Sequence, residues 1–366
     1  MNINLEIIDP LFDLSLWMNR NSFVVWRKPG EKSHNGFKAS VNIIEDGSFP
    51  AKEAFIFSPF SKTGKFPSFA FYPNEEKSTL KNLEIPSFVP MDIPDQKATY
   101  CKRIELLTGM MKDGPLHKCV LSRRIDLEEP EESMAPDLFL ELCKRYPNAF
   151  ISLIHIPGSF TWLGATPERL LTVKNLKAYT TSLAATKPFE GDLPDISDWN
   201  QKEREEQQLV TDYILNVLKK NKMQSVESEG PCSMQAGNLV HLKTDIHFSL
   251  SHRTDILSLI DELHPTPAVC GLPREDALQI IDSLEPHDRE YYAGYLGPVG
   301  KDYFDLYVNL RCMRWIEGKP SLFVGGGITA ASVPEQEWEE TNFKANTLLD
   351  VIEKICNLAG KKPDAH

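Results

Sequence analysis

The stretch from Ser321 to Lys344, SLFVGGGITAASVPEQEWEETNFK, constrains the fold more than any other part of the chain. A short apolar run predicts a strand that leads into three glycines, Gly325 to Gly327, and the residues beyond them predict a helix. Ser332 is the predicted N-cap of this helix, with Pro334 in the first turn and Glu335 three residues on, as in a capping box. Glycines let a ligand approach the backbone, and unpaired N–H groups at a helix start suit an anion. The stretch therefore predicts a binding site.

The predicted helix presents charged residues on one face. Glu337, Glu340 and Lys344 follow at spacings of three and four, which places them on the same side. Two carboxylates and an ammonium group suit a bound divalent cation next to an acidic substrate. The alternative is a solvated face of salt bridges, because runs of charge usually lie at the surface.

The clearest helical pattern is the segment SDWNQKEREEQQLVTDYILNVLKK, residues 197–220. Its predicted buried stripe consists of residues at spacings of three and four, namely Glu203, Glu206, Val210, Tyr213 and Val217. Glu206 is then expected to face the core, while Gln207 and Gln208 point elsewhere. A carboxylate in a core stripe needs a partner, which is either a metal ion or a nearby arginine.

Three predicted strands each contain one ionisable residue of interest. Lys118 lies at the start of the strand 117–127, where a lysine is usually a solvated edge charge. Glu168 lies among apolar residues of a predicted strand, SFTWLGATPERLLTV, so burial is expected to raise its pKa. His241 lies on the strand GNLVHLKTDIHFSL, and a lone strand histidine is most often a hydrogen-bonded structural group.

Arg311 lies on the segment DLYVNLRCMRW, which predicts a single strand with Arg311 on the same face as Tyr307 and Asn309. The turn EGKP then returns the chain alongside the glycine strand, so Arg311 and Gly325 are predicted hairpin neighbours. The preceding passage EPHDREYYAGYLGPVG is predicted to be turn-rich. The irregular segment LHPTPAVCGLP predicts a binding loop.

Composition and charge exclude several classes of protein. The formal net charge of −12 argues against nucleic acid and anionic membranes as partners. The sequence contains no run of 18 apolar residues, so no membrane span is predicted. The acidic start MNINLEIIDPLFDL does not resemble a signal peptide. The seven cysteines are scattered without a CxxC pair, which is typical of reduced thiols in a cytoplasmic protein.

Strands outnumber helices along the chain and are joined mostly by hairpin-like turns. This pattern predicts an α+β fold with antiparallel sheets and helices packed outside, in one large domain. Residues 1–95 are expected to be a strand-rich part of that domain, with strands at 22–26, 54–58 and 68–72. Residues 96–360 are expected to form the catalytic region, beginning with a packing helix at 97–111.

Nine motifs, in this order, together resemble the chorismate-utilising enzymes: KCVLSR, GATPERLL, SLAAT, KEREEQQLV, LHPTPAVCG, EPHDREYYAG, LRC, FVGGGIT and EWEETNFK. That family includes isochorismate synthases, salicylate synthases, anthranilate synthase component I and aminodeoxychorismate synthases. The resemblance covers about residues 97–355 and implies a large antiparallel β-sandwich flanked by helices, with the site between the sheets.

The resemblance implies a role for individual residues. Glu206 and Glu340 match the Mg²⁺ ligands, and Glu168 matches the general acid. The positions that match substrate contacts are Arg311, Lys344, Gly325, Ala185, Thr186 and Ala268, with His241 and Tyr292 as further candidates. Ala185 departs from the family pattern, because the family usually has glycine there.

Two positions indicate which nucleophile the enzyme uses. Members that add water resemble this chain in having a lysine at Lys118, whereas members that add ammonia tend to have glutamine there. Aminodeoxychorismate synthases have a nucleophilic lysine in a motif that here reads SLAAT, with Ala184 at the place of the lysine. Both positions favour water, activated by Lys118, as the nucleophile.

The resemblance therefore implies a Mg²⁺-dependent isochorismate synthase acting on chorismate, in menaquinone or siderophore biosynthesis. A salicylate synthase, which goes on to eliminate pyruvate, remains an alternative, as does a catalytically inactive binding relative. No glutamine amidotransferase subunit is expected, because ammonia is not the nucleophile. The expected assembly is a monomer or weak dimer in the cytoplasm.

Overall fold

The computed structural model describes residues 6–8, 14–18, 20–44, 48–50, 52–61, 65–73, 87–91, 96–252, 255–301 and 303–360. The strands in these residues are β1 (Glu6–Ile8), β2 (Phe23–Arg27), β3 (His34–Ile44), β4 (Ala54–Ser58), β5 (Ser68–Pro73), β6 (Lys118–Asp126), β7 (Phe150–Ile156), β8 (Phe160–Thr166), β9 (Arg169–Lys174), β10 (Lys177–Pro188), β11 (Gln224–Ala236), β12 (Leu239–Ser249), β13 (Gly271–Leu272), β14 (Tyr295–Val299), β15 (Tyr303–Val308), β16 (Cys312–Ile316) and β17 (Lys319–Ile328). The helices are α1 (Ser15–Met18), α2 (Gln96–Asp113), α3 (Ala135–Arg145), α4 (Gln201–Lys220), α5 (Asp255–Leu263), α6 (Arg274–Leu284) and α7 (Pro334–Leu358).

The strands form two antiparallel sheets that share β3. The first sheet has the order β13-β6-β17-β16-β8-β7-β2-β3-β1. The second has the order β11-β12-β10-β9-β15-β14-β4-β5-β3. The first half of β3 pairs with β1 and β2, and its second half, from Ala39, pairs with β5. The hydrogen bonding is therefore continuous from one sheet to the other. The antiparallel sheets with helices packed outside confirm the predicted α+β fold.

The main core lies between the two sheets. Phe150 on β7 stacks on Tyr307 on β15, with ring centroids 4.1 Å apart, and Trp162 on β8 contacts Phe57 on β4. A second cluster fills the outer face of the first sheet, where α3 and α7 cover it. Strands such as β7 are buried along their whole length, because both of their faces are covered.

Several elements were predicted to within two residues of their observed bounds. The strands at 22–26, 54–58 and 68–72 correspond to β2, β4 and β5, and the helix at 97–111 corresponds to α2. Most of the proline-rich segment 85–96 lies outside the described residues. Where the chain is described, no helix is both long enough and apolar enough to span a bilayer.

Two strand predictions were wrong. The run SFTWLGATPERLLTV forms two strands, β8 and β9, which lie in different sheets and are separated by Pro167 and Glu168. The run DLYVNLRCMRW is likewise divided, because β15 belongs to the second sheet and β16 to the first. In both places the chain crosses between the sheets, and an unbroken apolar pattern does not reveal such a crossing. The turn-rich passage 285–300 also contains a strand, β14, that was not predicted.

Candidate active site

A cavity with about 720 Å³ of empty volume lies between the sheets, bounded by β6 and β17 of the first sheet and by β10 and β12 of the second. Helices α4 and α7 close its sides. All the site residues implied by the family resemblance line this one cavity, namely Lys118, Glu168, Ala185, Thr186, Glu206, His241, Ala268, Tyr292, Arg311, Gly325, Glu340 and Lys344, whereas Glu337 does not line it. These residues come from distant parts of the sequence, so the fold itself brings them together.

Lys118 and Glu206 form an ion pair in the wall of the cavity. Nζ of Lys118 donates to Oε1 of Glu206 at 2.7 Å, and the lysine side chain is only 1% exposed. Burial is the largest single influence and acts to raise the pKa of Glu206, but the charge and hydrogen bond of Lys118, together with the charges of Lys344 and Lys202, lower it overall. A solvated edge lysine is therefore the wrong description of Lys118. Among the described residues, the cation that pairs with Glu206 is thus a lysine and not the arginine considered from the sequence.

The buried face of α4 is rotated from the predicted stripe. Gln207, which was predicted to point away from the core, is buried and donates to the Ser182 hydroxyl at 2.7 Å and the Thr244 hydroxyl at 3.1 Å. Glu206 is 15% exposed, at the boundary of this face. The prediction failed because the larger side chains Val210, Tyr213 and Val217 defined the stripe, whereas the buried face contacts β10 and β12 partly through polar groups. The rotation directs Glu206 into the cavity.

Glu168 occupies the break between β8 and β9, where the chain leaves the first sheet. Its side chain is buried, and burial raises its pKa to about 7 against the opposing charges of Lys118, Lys344 and Arg311. The direction is the one expected from the apolar neighbours in the sequence. A carboxyl group with this pKa retains its proton in a large fraction of molecules near neutral pH.

Arg311 lies at the corner between β15 and β16, with a left-handed backbone at φ 48°. Its guanidinium donates to Nε2 of His241 at 2.8 Å and to the Ala236 carbonyl at 3.3 Å. Because Nε2 accepts this hydrogen bond, the proton of His241 is on Nδ1, which donates to the Ala185 carbonyl at 2.8 Å. Burial and the nearby Arg311 charge lower the pKa of His241 to about 3, so the imidazole is neutral. The neutral histidine orients Arg311 without adding charge.

Helix α7 and strand β17 contribute a second charged part of the cavity wall, in addition to the Lys118–Glu206 pair. Nζ of Lys344 donates to Glu340 at 2.7 Å and to the Gly325 carbonyl at 3.0 Å. A Cβ at Gly325 would lie 2.9 Å from the Tyr292 hydroxyl, so this position has room only for glycine. Glu337, on the same helix, is buried and pairs with Lys202 at 3.0 Å.

Helix α7 begins one residue later than the capping box predicted. Its N-cap is Val333, which makes no side-chain cap, and its first residue is Pro334. The hydroxyl of Ser332 instead accepts a hydrogen bond from the backbone N–H of Thr329 at 3.1 Å. Ser332 therefore stabilises the turn before the helix, and its side chain also hydrogen-bonds the Glu337 carboxylate within the helix.

Ala185 lies at a bulge in β10, where its register with β12 shifts. Its φ of 59° is in the left-handed region that favours glycine. This backbone conformation gives a physical reason for the expectation of a glycine at this position. The neighbouring Thr186 hydroxyl lies 3.3 Å from Nδ1 of His241, and Ala268 lines the cavity from the loop after α5.

Comparison with known proteins agrees with this geometry. The family model described as "Chorismate binding enzyme" matches residues 70–353. The chain belongs to the chorismate-binding enzymes. The family resemblance of the sequence motifs is thereby confirmed.

Two relatives of this chorismate-binding enzyme are isochorismate synthases of Escherichia coli. Isochorismate synthase MenF is 31% identical over 266 residues, which cover 71% of this chain and 61% of MenF. Isochorismate synthase EntC is 30% identical over 267 residues, covering 71% of this chain and 68% of EntC. The match to MenF thus spans less than two thirds of that relative. The solved structure of E. coli MenF, the menaquinone-specific isochorismate synthase, shares the fold, with a TM-score of 0.75 at 22% identity over 93% of this chain and 92% of that one.

The cavity of this chorismate-binding enzyme also includes residues that were not predicted. Gly327 lines it together with Gly325, and Val120 lines it together with Lys118. Each lies two residues from its predicted neighbour on the same strand, so the alternation of strand faces is the signal that identifies them. Leu183 and Phe323 line the cavity as well.

Proposed function

We propose that this protein is an isochorismate synthase, which adds water at C2 of chorismate with loss of the C4 hydroxyl. The observation that supports this proposal most directly is that a potential acid, a potential base and an anion-binding group face the same cavity. A buried carboxyl group with a pKa near 7, Glu168, and a buried lysine, Lys118, face the same space as the Arg311 guanidinium. An acid, a base and an anion-binding group are what this reaction requires.

Arg311 and Lys344 are the groups proposed to bind the substrate carboxylates. Chorismate has two carboxylates, and a chain of net charge −12 needs local positive charge to attract them. Arg311 is fixed by its hydrogen bonds to His241 and Ala236, so its planar fork is oriented before a ligand arrives. The absence of a lysine at Ala184, which also lines the cavity, favours water over a covalent lysine adduct.

Lys118 and Glu168 are proposed to move the two protons. Lys118 pairs with Glu206 as an ammonium, so it must first give up that proton to solvent; the free amine then takes a proton from water as the water oxygen bonds to C2. Glu168 gives its proton to the C4 hydroxyl, which leaves as water while the ring double bonds shift. One water molecule enters and one leaves, so the reaction is an isomerisation.

Glu206 and Glu340 are the proposed Mg²⁺ ligands. Their carboxylate oxygens are hard donors of the type that Mg²⁺ prefers, and each already accepts a cationic partner at 2.7 Å, from Lys118 and Lys344 respectively. The described residues contain no group of three or more His, Cys, Asp or Glu placed to hold a metal, so two protein carboxylates plus substrate and water are the proposed donor set. When bound, Mg²⁺ would neutralise charge on a substrate carboxylate.

Product analysis tests the proposal. The protein is incubated with chorismate and Mg²⁺, and the products are separated by chromatography. Isochorismate as the product is the expected result. Salicylate with pyruvate would instead support the salicylate synthase alternative, and absence of turnover would contradict an enzymatic role.

The metal ligands are tested separately. Chelation with EDTA is expected to abolish turnover, and added Mg²⁺ to restore it. Glu340→Gln is expected to raise the Mg²⁺ concentration needed for half activity, whereas Glu339→Gln, an exposed neighbour on the same helix, leaves it unchanged. Full activity of Glu340→Gln in EDTA would refute this assignment.

A further inference from the structure

A buried arginine, Arg289, lies behind the wall of the cavity and contacts three parts of it. Arg289 belongs to the segment after α6, its side chain is 3% exposed, and it does not itself line the cavity. Its Nη2 donates to the Val120 carbonyl on β6 at 2.6 Å, and its Nη1 donates to the Val269 carbonyl, in the loop after α5, at 2.8 Å. Its guanidinium also lies 6.0 Å from the centroid of the Tyr292 ring. All three contacted residues line the cavity, so the guanidinium links them from behind.

Glu285 fixes the guanidinium in this position. Its carboxylate, which is 2% exposed, accepts from Nε of Arg289 at 2.8 Å and from Nη2 at 2.6 Å, so the ion pair is bidentate. The same carboxylate accepts the backbone N–H of Ser122, on β6, at 2.6 Å. The ring of Phe60 lies over the guanidinium, with its centroid at 4.4 Å. A guanidinium held in this way has one orientation, which fixes the carbonyl groups that it contacts.

The ion pair continues the hydrogen bonding along the outer edge of β6. Strand β13 pairs with this edge as far as Cys119. The next groups along the edge, the Val120 carbonyl and the Ser122 N–H, bond to the two side chains of the ion pair. Lys118, the proposed base, lies two residues before Val120 on the same face of β6, and both residues line the cavity. The ion pair therefore sets the path of β6 next to the proposed base.

We propose that Arg289 is a positioning residue for isochorismate formation, because it fixes Lys118 on β6 relative to the cavity wall at Val269. This inference rests on the proposed function, in which Lys118 is the base. The groups proposed to bind the substrate carboxylates, Arg311 and Lys344, lie on other elements, namely the corner between β15 and β16 and helix α7. Loss of Arg289 should therefore impair the chemical step more than the binding of chorismate.

Arg289→Gln tests the proposal, with Arg314→Gln as a matched control. Arg314, on β16, is 2% exposed and pairs with Glu290 at 2.9 Å, and neither of these two residues lines the cavity. Both substitutions leave a buried carboxylate without its arginine, so both are expected to lower the melting temperature. Near-ultraviolet circular dichroism gives the native fraction of each preparation, and kcat is expressed per native molecule.

We expect Arg289→Gln to lower kcat by roughly 10–100-fold, because a displacement of about 1 Å at a catalytic group can cost about 10² in rate. Its KM for chorismate is expected to stay close to that of the parent, and Arg314→Gln to match the parent in both quantities. A kcat per native molecule that is equal in Arg289→Gln and the parent, or equally reduced in the two variants, would overturn the proposal.

Arg289→Lys separates the bridging role from the charge, and it decides the question if the glutamine variant does not fold. Lysine retains the positive charge beside Glu285 but lacks the planar fork that reaches both carbonyls. A kcat below that of the parent supports the proposal, whereas full activity of Arg289→Lys would show that the charge alone suffices and would overturn it. Absence of isochorismate from the parent would overturn the proposed function and this inference with it. An active parent with an unimpaired Arg289→Lys overturns the inference alone.

Discussion

Burial shifts the pKa values of the ionisable side chains that line the cavity between the sheets in opposite directions. It raises the pKa of Glu168 to about 7 and, together with Arg311, lowers that of His241 to about 3. It also lowers the pKa of Arg311, to about 10, which leaves the guanidinium charged at neutral pH. The desolvated cavity thus retains the positive charge of Arg311 while it neutralises a histidine and favours the acid form of a carboxyl group. These three states are what an anionic substrate and a general acid require.

The pH dependence of turnover tests the role of Glu168. If the protonated carboxyl group is the acid, kcat falls as pH rises above about 7, because the active fraction decreases. Glu168→Gln cannot donate a proton, so we expect a loss of roughly 10²–10⁴ in rate and no remaining decrease near pH 7. A parent profile that is flat from pH 6 to 9 would contradict the assignment.

The same group should make stability depend on pH. The folded-state pKa of Glu168 is raised from the ordinary 4.5 to about 7, so the stability that its protonation contributes is complete below 4.5 and lost as pH rises to 7. The free energy of unfolding of the parent and of Glu168→Gln is measured by denaturation across this pH window. The variant lacks the ionisable carboxyl group, so this loss of stability is expected in the parent only.

Lys118 is tested by replacing its amine with a group that cannot accept a proton. Lys118→Gln is expected to reduce isochorismate formation by roughly 10²–10⁴ while chorismate still binds. Turnover and calorimetric binding of chorismate are measured on the same preparation. Turnover equal to that of the parent would show that the buried Lys118–Glu206 pair is structural only.

At the level of single elements, local sequence patterns predicted which residues form strands and helices. They did not predict where the chain crosses from one sheet to the other. The spacing in 97–111 identified α2, and the faces of β17 are consistent with simple alternation. The corner at Arg311 was missed, because the change of sheet depends on pairing with β8 and β9 far along the chain. The polar face of α4 was missed for a similar reason. The acceptors of Gln207, on β10 and β12, are distant in sequence.

Strand β17 gives a matched pair of glycine substitutions. A Cβ at Gly327 would lie 2.8 Å from Oε1 of Glu206 and 3.0 Å from Cε of Lys118, whereas one at Gly326 would meet nothing closer than 3.6 Å. Gly327→Ala is therefore expected to displace the ion pair and reduce kcat, and Gly326→Ala to remain close to the parent. Both variants are compared by kcat and by melting temperature. Equal kcat values for the two would show that the ion pair tolerates displacement.

The bulge in β10 gives a second matched pair of substitutions, at Ala185 and Ala184. Ala185 has a left-handed backbone, so Ala185→Gly should relieve strain and stabilise the fold by up to about 1 kcal/mol. Ala184 is not left-handed, so Ala184→Gly at the adjacent position should destabilise the fold by about 0.5–1 kcal/mol. Denaturant unfolding measures both changes, and destabilisation by Ala185→Gly would show that the bulge is not strained.

Across the whole molecule, the first 95 residues contribute to both sheets. Strand β2 lies between β7 and β3 in the first sheet, and β4 lies between β14 and β5 in the second. Their side chains Trp26 and Phe57 are part of the core between the sheets. We propose that residues 1–95 are an integral part of one large domain, as the sequence predicted, rather than an appendage to the catalytic region.

Removal of residues 1–95 tests this proposal. The fragment 96–366 would expose the edges of β7 and β14, each of which pairs over five residues with a strand of the removed segment. Exposed apolar strand edges favour aggregation, and loss of one side of the core removes packing that the remaining strands need. We expect the fragment to be insoluble or to lack a cooperative thermal transition and near-ultraviolet circular dichroism. A chain that lacks only residues 361–366 controls for shortening as such and should unfold like the parent. A fragment that unfolds cooperatively and binds chorismate would establish residues 96–360 as an independent domain.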